Sequence, residues 1–257
     1  VLSQNQRKFI SALQVKKYRQ KYRNFTVEGE KMVGELLRQR RFPVQSIWGE
    51  ERWAEAHAAL LGPFLEKFNP VSADELRKIS ALSTPNAVLA VAEMPADEPE
   101  LALPATGLSL YLDGIQDPGN MGAILRVADW FGLPAVFCAP ECADVLSPKV
   151  VQAGMGAVLR VRTREVALEA LLAEAGETAL PVLGAVLGGA DAFAATWPAG
   201  RSLLVIGNEG RGIGPATEAL LTQRLSIPRH PEGGAESLNA AVATGILVAL
   251  WQKNAAK

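Results

Sequence analysis

The order of apolar and polar segments predicts an α/β protein in two parts, a small alternating unit followed by a larger, mostly parallel sheet covered by helices. Three observations carry that expectation. From Leu108 onward, short and nearly continuous apolar runs alternate with helix-period segments, the pattern of strands buried on both faces. The stretch Pro95-Ala-Asp-Glu-Pro-Glu-Leu-Ala-Leu-Pro104 has three prolines and three acidic residues, a composition that continues neither a helix nor a central strand. It reads as a linker, 95–105, between residues 1–94 and 106–257. Finally, the polar residues of the C-terminal part collect in three short segments that each follow an apolar run, which is how strand ends deliver functional groups to one edge of a sheet.

In the first part, residues 3–23 are polar and basic with Phe9, Ile10 and Leu13 at helical spacing. Phe25–Val27 reads as a strand and Glu28–Arg41 as a helix with Met32, Val33, Leu36 and Leu37 on one face. A strand at Val44–Trp48, helices at 51–61 and 72–81 and a strand at 86–92 complete the unit. In the second part, strands are expected at 108–112, 135–138, 157–161, 182–187, 202–206 and 225–227. Helices are expected at 122–131, 147–154, 165–175, 215–222 and 238–251. There is no internal repeat or low-complexity tract.

The 257 residues balance 26 Lys/Arg against 27 Asp/Glu, but unevenly. Residues 1–41 hold 11 basic against 3 acidic residues, leaving 15 against 24 in the remainder. A basic leading segment is a footprint for a polyanion or a solvated basic helix face. Lys16, Lys17, Arg19, Lys21 and Arg23 are the candidates for phosphate contacts. Tyr18 and Tyr22 interleave them, either to stack on bases or to cover the unit's own core. Two cysteines, Cys138 and Cys142, are too few for a disulfide scaffold and have no partner pair for a metal site. Cys138 ends an apolar run, as a small buried hydrophobe does. No secretory signal opens the chain, and the longest apolar stretch, Leu238–Trp251, is too short to span a bilayer. A cytoplasmic protein without membrane or metal is expected.

The first polar segment is Asp113-Gly-Ile-Gln-Asp-Pro-Gly-Asn-Met-Gly-Ala-Ile-Leu-Arg126. Asp-Pro-Gly-Asn is a good turn in any protein. If the helix starts near Gly122, Arg126 lies one turn inside it, able to face the same edge as Asn120 and hold a phosphate, or simply exposed. The second is Ile206-Gly-Asn-Glu-Gly-Arg-Gly-Ile-Gly214, with Glu209 among four glycines. That spacing is neither a dinucleotide fingerprint nor a P-loop. The third is Leu225-Ser-Ile-Pro228 followed by Glu236-Ser-Leu-Asn239. Ser237 reads as an N-cap or a functional hydroxyl. Asn239, expected in the first turn of an apolar helix, is a buried amide in need of partners. His57 reads as structural, and His230 lies beside the third segment. Nothing has the ordering of a Ser/His/Asp or Cys/His hydrolase.

These three segments resemble the signature motifs of the SpoU/TrmH family of RNA ribose 2′-O-methyltransferases, in the SPOUT superfamily. The first motif is met by Asn120, Gly122 and Arg126 after Asp117-Pro-Gly, the second by Gly207, Glu209 and Gly210, and the third by Ile227-Pro228 and Ser237-Leu-Asn239. The match covers roughly residues 106–255, with a further similar stretch at Lys149–Ala157. The N-terminal unit, through Phe25-Thr-Val-Glu-Gly29, is similar to the family's substrate-binding domain, which is like a ribosomal-protein RNA-binding fold. One departure is the loop Arg229-His-Pro-Glu-Gly-Gly-Ala235, longer and more charged than is usual in the family.

The resemblance implies a C-terminal α/β fold with a deep trefoil knot, a homodimer, and S-adenosylmethionine as cofactor. It implies cofactor contacts at Leu183, Gly184, Ile206, Gly207, Ile227 and Leu238, and a catalytic set of Arg126, Asn120, Glu209, Ser237 and Asn239. The reaction it implies is attack of a ribose 2′-oxygen of RNA on the sulfonium methyl, with ribosomal RNA as the expected substrate and transfer RNA as the alternative. Because a guanidinium stays protonated, Arg126 is expected to stabilise the forming alkoxide rather than act as a base. The rival readings are a nucleotide-dependent dehydrogenase, which lacks its glycine spacing here, and a non-catalytic RNA-binding or ribosome-assembly protein.

Overall fold

The computed structural model describes residues 2–94, 101–176 and 180–255. The chain divides into two compact units, Val1–Glu98 with Asp144–Arg160, and Pro99–Ala143 with Val161–Lys257. Residues 95–100 of the expected linker lie outside the described residues. Residues 101–105 are not a free tether. Leu101 and Leu103 are buried, and the Leu101 carbonyl accepts a hydrogen bond from Arg164 at 3.2 Å.

In the first unit, α1 (Gln4–Ala12) and α2 (Lys16–Tyr22) lead into β1 (Asn24–Glu28) and α3 (Glu30–Gln39). Then follow β2 (Val44–Gly49), α4 (Glu51–Ala56), α5 (Ala58–Leu61), β3 (Phe68–Pro70), α6 (Ala73–Ile79) and β4 (Val88–Glu93). The sheet order is β1-β4-β2-β3, with β4 antiparallel to both neighbours. Two capping boxes start helices: Ser3 with Gln6 on α1, and Ser72 with Glu75 on α6. The apolar spacing of α1 turns Ile10, with Leu13 just beyond, into a core shared with Trp48, Leu76, Ile79 and Val91.

Arg19 does not face outward as a phosphate contact. Its side chain is 2% exposed, bonded through Nε to the Asp144 carboxylate at 2.9 Å and through Nη1 to the Leu13 carbonyl at 2.7 Å. Burying a guanidinium requires such partners, and Asp144, far along the chain, could not be foreseen from a count of cations.

The second unit begins with β5 (Leu108–Asp113), α7 (Pro118–Trp130) and β6 (Val136–Cys138). After α8 (Pro148–Ala153), which belongs to the first unit, come β7 (Thr163–Glu165), α9 (Leu168–Ala175), β8 (Val182–Asp191) and β9 (Ser202–Gly207). The chain ends in α10 (Pro215–Glu218), β10 (Gln223–Ser226) and α11 (Ala240–Ala255). The sheet is parallel throughout, in the order β10-β8-β9-β5-β6-β7. Leu110, Leu112, Leu204 and Val205 are buried in its centre, as their apolar runs require.

The strand expected at 157–161 is instead a buried 3-10 turn, Ala157–Leu159, entered through Gly156 at φ +76°. The strand itself lies later, at Thr163–Glu165, where pairing with Val136–Cys138 is available at the sheet edge. An apolar run satisfies burial in either conformation, so hydrophobicity alone does not choose between them. Cys138 and Cys142 are buried free thiols; Cys142 Sγ donates to the Leu112 carbonyl, and contact with Cys142 together with burial pushes the Cys138 thiol upward.

Candidate active site

The site is built by sheet register. In the β5/β9 pair, Leu112 stands opposite Ile206 and Asp113 opposite Gly207, so the loops that follow the two strands leave side by side. They are tied at once. The Asp113 carboxylate accepts from the Gly214 amide at 2.6 Å, and the Asn208 side-chain amide donates to the Gly114 carbonyl at 2.8 Å. Asn208 Oδ1 accepts from the amides of Gly210 and Arg211 at 2.9 and 3.1 Å, and Asn208 and Gly212 exchange both backbone hydrogen bonds. The result is a tight hairpin with Glu209 near its tip. Gly207 is obligatory there, because a Cβ would sit 2.3 Å from the Gly212 carbonyl carbon.

Helix α7 starts at Pro118, one turn before Gly122. Asp117 caps it, accepting from the Asn120 amide at 2.8 Å, with Pro118 in the first turn where its missing N–H is harmless. Asn120 is therefore a first-turn helix residue. Its side-chain Nδ2 donates to Glu209 Oε1, and its side-chain Oδ1 accepts from Asn239 Nδ2 at 2.8 Å. Asn239 Nδ2 also reaches Glu209 Oε1 at 3.2 Å, while Asn239 Oδ1 accepts from the amides of Ala241 and Val242 at 3.0 and 3.2 Å. Three segments far apart in sequence thus meet in one hydrogen-bonded cluster. Glu209 Oε1 takes two amide donors, while Oε2 has no hydrogen-bond partner among the described residues.

Two expectations about the third segment are corrected. Asn239 is exposed, not buried, and it rather than Ser237 caps α11, because the helix begins only at Ala240. Ser237 is exposed and its hydroxyl is not engaged by any described residue, but it lies on the wall of a cavity. That cavity, of about 1060 Å³, is lined by Ala185–Gly188, by Ile206–Ile213, by Glu218, by Leu225–His230 with Ala235–Leu238, and by Ala240, Ala243 and Leu247 of α11.

Four of the six expected cofactor contacts, Ile206, Gly207, Ile227 and Leu238, are on that wall. Leu183 and Gly184 are not. Leu183 is buried in β8, and Gly184 packs against the Leu221 side chain. The wall uses the next four residues instead, because β8 leaves its pairing with β10 after Gly184 and resumes it only at Ala190, opposite Leu225. Arg126 is also elsewhere. It is exposed, has no ion-pair or hydrogen-bond partner among the described residues, and does not line the cavity. Six residues past Asn120, it is rotated by about 120° from it around α7 and lies about 9 Å along the axis. Of the basic set, Lys17, Lys21 and Arg23 are exposed and Lys16 partly so.

Sequence reasoning missed Asn208 and Asp113, which hold the hairpin, and Asp117, which aims Asn120. Asp followed by Pro is a legible helix start. Nothing in the sequence distinguishes Asn208 as a tie to Gly114, since that bond depends on the β5/β9 register.

Fold and site together define an α/β protein whose strand-end loops build one polar cluster on the wall of a cofactor-sized cavity. Residues 107–249 match the model of the SpoU rRNA Methylase family, and residues 4–90 match an MRM3-like substrate binding domain. The chain belongs to the SpoU rRNA methylase family. It is 29% identical over 236 residues to the 23S rRNA (guanosine(2553)-2′-O)-methyltransferase RlmP of Bacillus subtilis, covering 92% of this chain and 91% of that protein. A solved structure of the TrmH family of RNA methyltransferases from Porphyromonas gingivalis superposes with a TM-score of 0.85 at 40% identity, covering 98% of each chain. An AdoMet-bound rRNA methyltransferase from Sinorhizobium meliloti gives a TM-score of 0.85 at 26% identity, over 98% of this chain and 97% of that one.

Proposed function

We propose that the protein transfers the methyl group of S-adenosylmethionine to a ribose 2′-oxygen of ribosomal RNA. The observation that carries this reading is the Asn120–Glu209–Asn239 cluster, whose carboxylate stands on the cavity wall. The cavity suits the cofactor in size and chemistry. Ile206, Ile213, Leu225, Ile227 and Leu247 offer an apolar wall for an adenosyl group, and Glu209, Glu218 and Glu236 place carboxylates around a cationic ligand. When bound there, the cofactor would supply an electrophilic methyl on sulfur for transfer to the 2′-oxygen, with the uncharged thioether as leaving group.

The chain's own residues position the acceptor. Glu209 Oε2, free of protein donors, accepts from a ribose hydroxyl, while Asn120 and Asn239 hold the carboxylate in place. Ser237 offers a second hydroxyl from the same wall. Arg126 stabilises the oxygen as its proton leaves to solvent, and anchors the neighbouring phosphate.

Arg126 reaches a substrate through a homodimer. It shares the outer face of α7 with Trp130, one turn on and 84% exposed, and Val242 of the adjoining α11 is 51% exposed. A second copy packed on this face covers Trp130 and Val242 and carries Arg126 to the joined sites. The cavity wall belongs to a deep trefoil knot in this reading, supported by the likeness to SpoU and TrmH structures. The RNA is ribosomal, supported by the MRM3-like domain and by RlmP, and the reaction is cytoplasmic.

The test is transfer of labelled methyl groups to total RNA from cells lacking the protein, followed by mapping of 2′-O-methyl sites. One methylated ribosomal nucleotide is expected. Arg126→Ala should lower the rate at least about a hundredfold and leave cofactor affinity within about twofold. RNA binding without transfer by the wild type supports the assembly-protein rival, and preference for NAD over S-adenosylmethionine supports the dehydrogenase.

A further inference from the structure

We propose that α2 carries a stacking platform for unpaired nucleotides of the RNA substrate, formed by Tyr18 and Tyr22 and bordered by Lys17 and Lys21. The proposal rests on the reading of the substrate as RNA. Its starting point is Arg19, whose buried bonds to Asp144 and Leu13 fix the rotation of α2. With Arg19 pointing inward, helical geometry sends Tyr18 and Tyr22 out along one flank and Lys17 and Lys21 to the face opposite Arg19.

The two tyrosines keep 37% and 40% of their surface exposed. Their ring planes differ by only 14°, with centroids 6.2 Å apart. Neither phenol hydroxyl has a hydrogen-bond partner among the described residues. The rings are anchored from behind, because Phe9 meets Tyr22 edge-on at 5.2 Å and itself packs on the core around Ile10 and Leu13. The Lys21 ammonium lies 5.4 Å from the Tyr22 centroid. A tyrosine that only covers a core buries its ring, and one on a solvated face has no such anchor. Two aligned, exposed and braced rings offer π faces whose ordering on binding is already largely complete.

The charge around them selects the occupant. Residues 1–23 contain seven Lys/Arg and no acidic residue, and Lys17 and Lys21, which border the rings, are exposed. This suits a polyanion. Bases in a duplex present their edges and not their faces, so rings that stack require unpaired nucleotides.

Fluorescence anisotropy with an end-labelled single-stranded RNA, and with the same strand in a duplex, tests this on the whole 257-residue chain. The Tyr18→Ala/Tyr22→Ala variant should bind the single strand about tenfold more weakly per ring, and the duplex within about twofold of wild type. Tyr18→Phe/Tyr22→Phe should bind like wild type, since it keeps the faces and loses only the hydroxyls. Unchanged single-strand affinity in the alanine variant, equal loss for both RNAs, or the same loss in the phenylalanine variant overturns the proposal. Tyr18→Ala alone leaves the Phe9–Tyr22 contact intact and serves if the double variant unfolds. Methyl transfer by the wild type is measured alongside. Its absence sinks the methyltransferase reading without touching the stacking result, and a failed stacking result leaves methyl transfer standing.

Discussion

Helix α2 and the hairpin Gly207–Gly212 hold their charged groups in opposite ways. In α2, Arg19 is drawn inward, fully engaged, and closes the first unit on itself. In the hairpin, Glu209 stays on a cavity wall with one oxygen held and the other open. The difference lies in what fixes direction. A helix spreads its side chains around a circle, and tertiary partners such as Asp144 decide which of them turn in. A hairpin pinned by Asn208, starting from a strand end of fixed register, leaves Glu209 little choice.

Four substitutions sharpen that contrast. Arg19→Ala leaves the Asp144 carboxylate half-buried without its counter-ion and should destabilise the protein by about 3–5 kcal/mol in urea unfolding, whereas Lys17→Ala on the same helix should stay within about 0.5 kcal/mol. Equal effects would erase the distinction between inward and outward faces of α2. Gly207→Ala forces a methyl into the Gly212–Ile213 backbone; about 1–3 kcal/mol of stability should go, together with measurable cofactor affinity in calorimetry. Asn208→Asp keeps the acceptor for Gly210 and Arg211 but removes the donor to Gly114. It also sets a carboxylate oxygen against the Gly114 carbonyl, so about 1–2 kcal/mol of stability should go; kcat should fall about tenfold at a temperature where the variant stays folded, and a wild-type kcat would show that the tie does not aim Glu209.

Much of the second unit was legible because its strands are buried on both faces and so read as apolar runs. β5 and β9 fall close to their expected limits, and the glycine-rich segment after β9 had to be a tight turn. The grouping of Asn120, Glu209 and Asn239 was legible for the same reason. Short edge strands were not. β3 has three residues and β7 three, too few for any period, and both depend on a neighbour for their conformation. The side of α7 that Arg126 takes depends on the helix start: the Asp117-Pro118 start signal, one turn before Gly122, sets it about 120° round from Asn120, on the exposed side. Arg19 and the Ala185–Gly188 wall were beyond sequence reasoning, since one depends on a distant carboxylate and the other on where β8 parts from β10.

The bond between Arg19 and Asp144 also orders events during synthesis. The first unit includes Asp144–Arg160, so its final pieces leave the ribosome only after β5, α7 and β6 have been made. The opening ninety-odd residues emerge early, with a guanidinium still waiting for its carboxylate. A nascent chain arrested before Asp144 has left the exit tunnel should therefore be digested by protease within α2, and one extended until Arg160 has cleared the tunnel should resist.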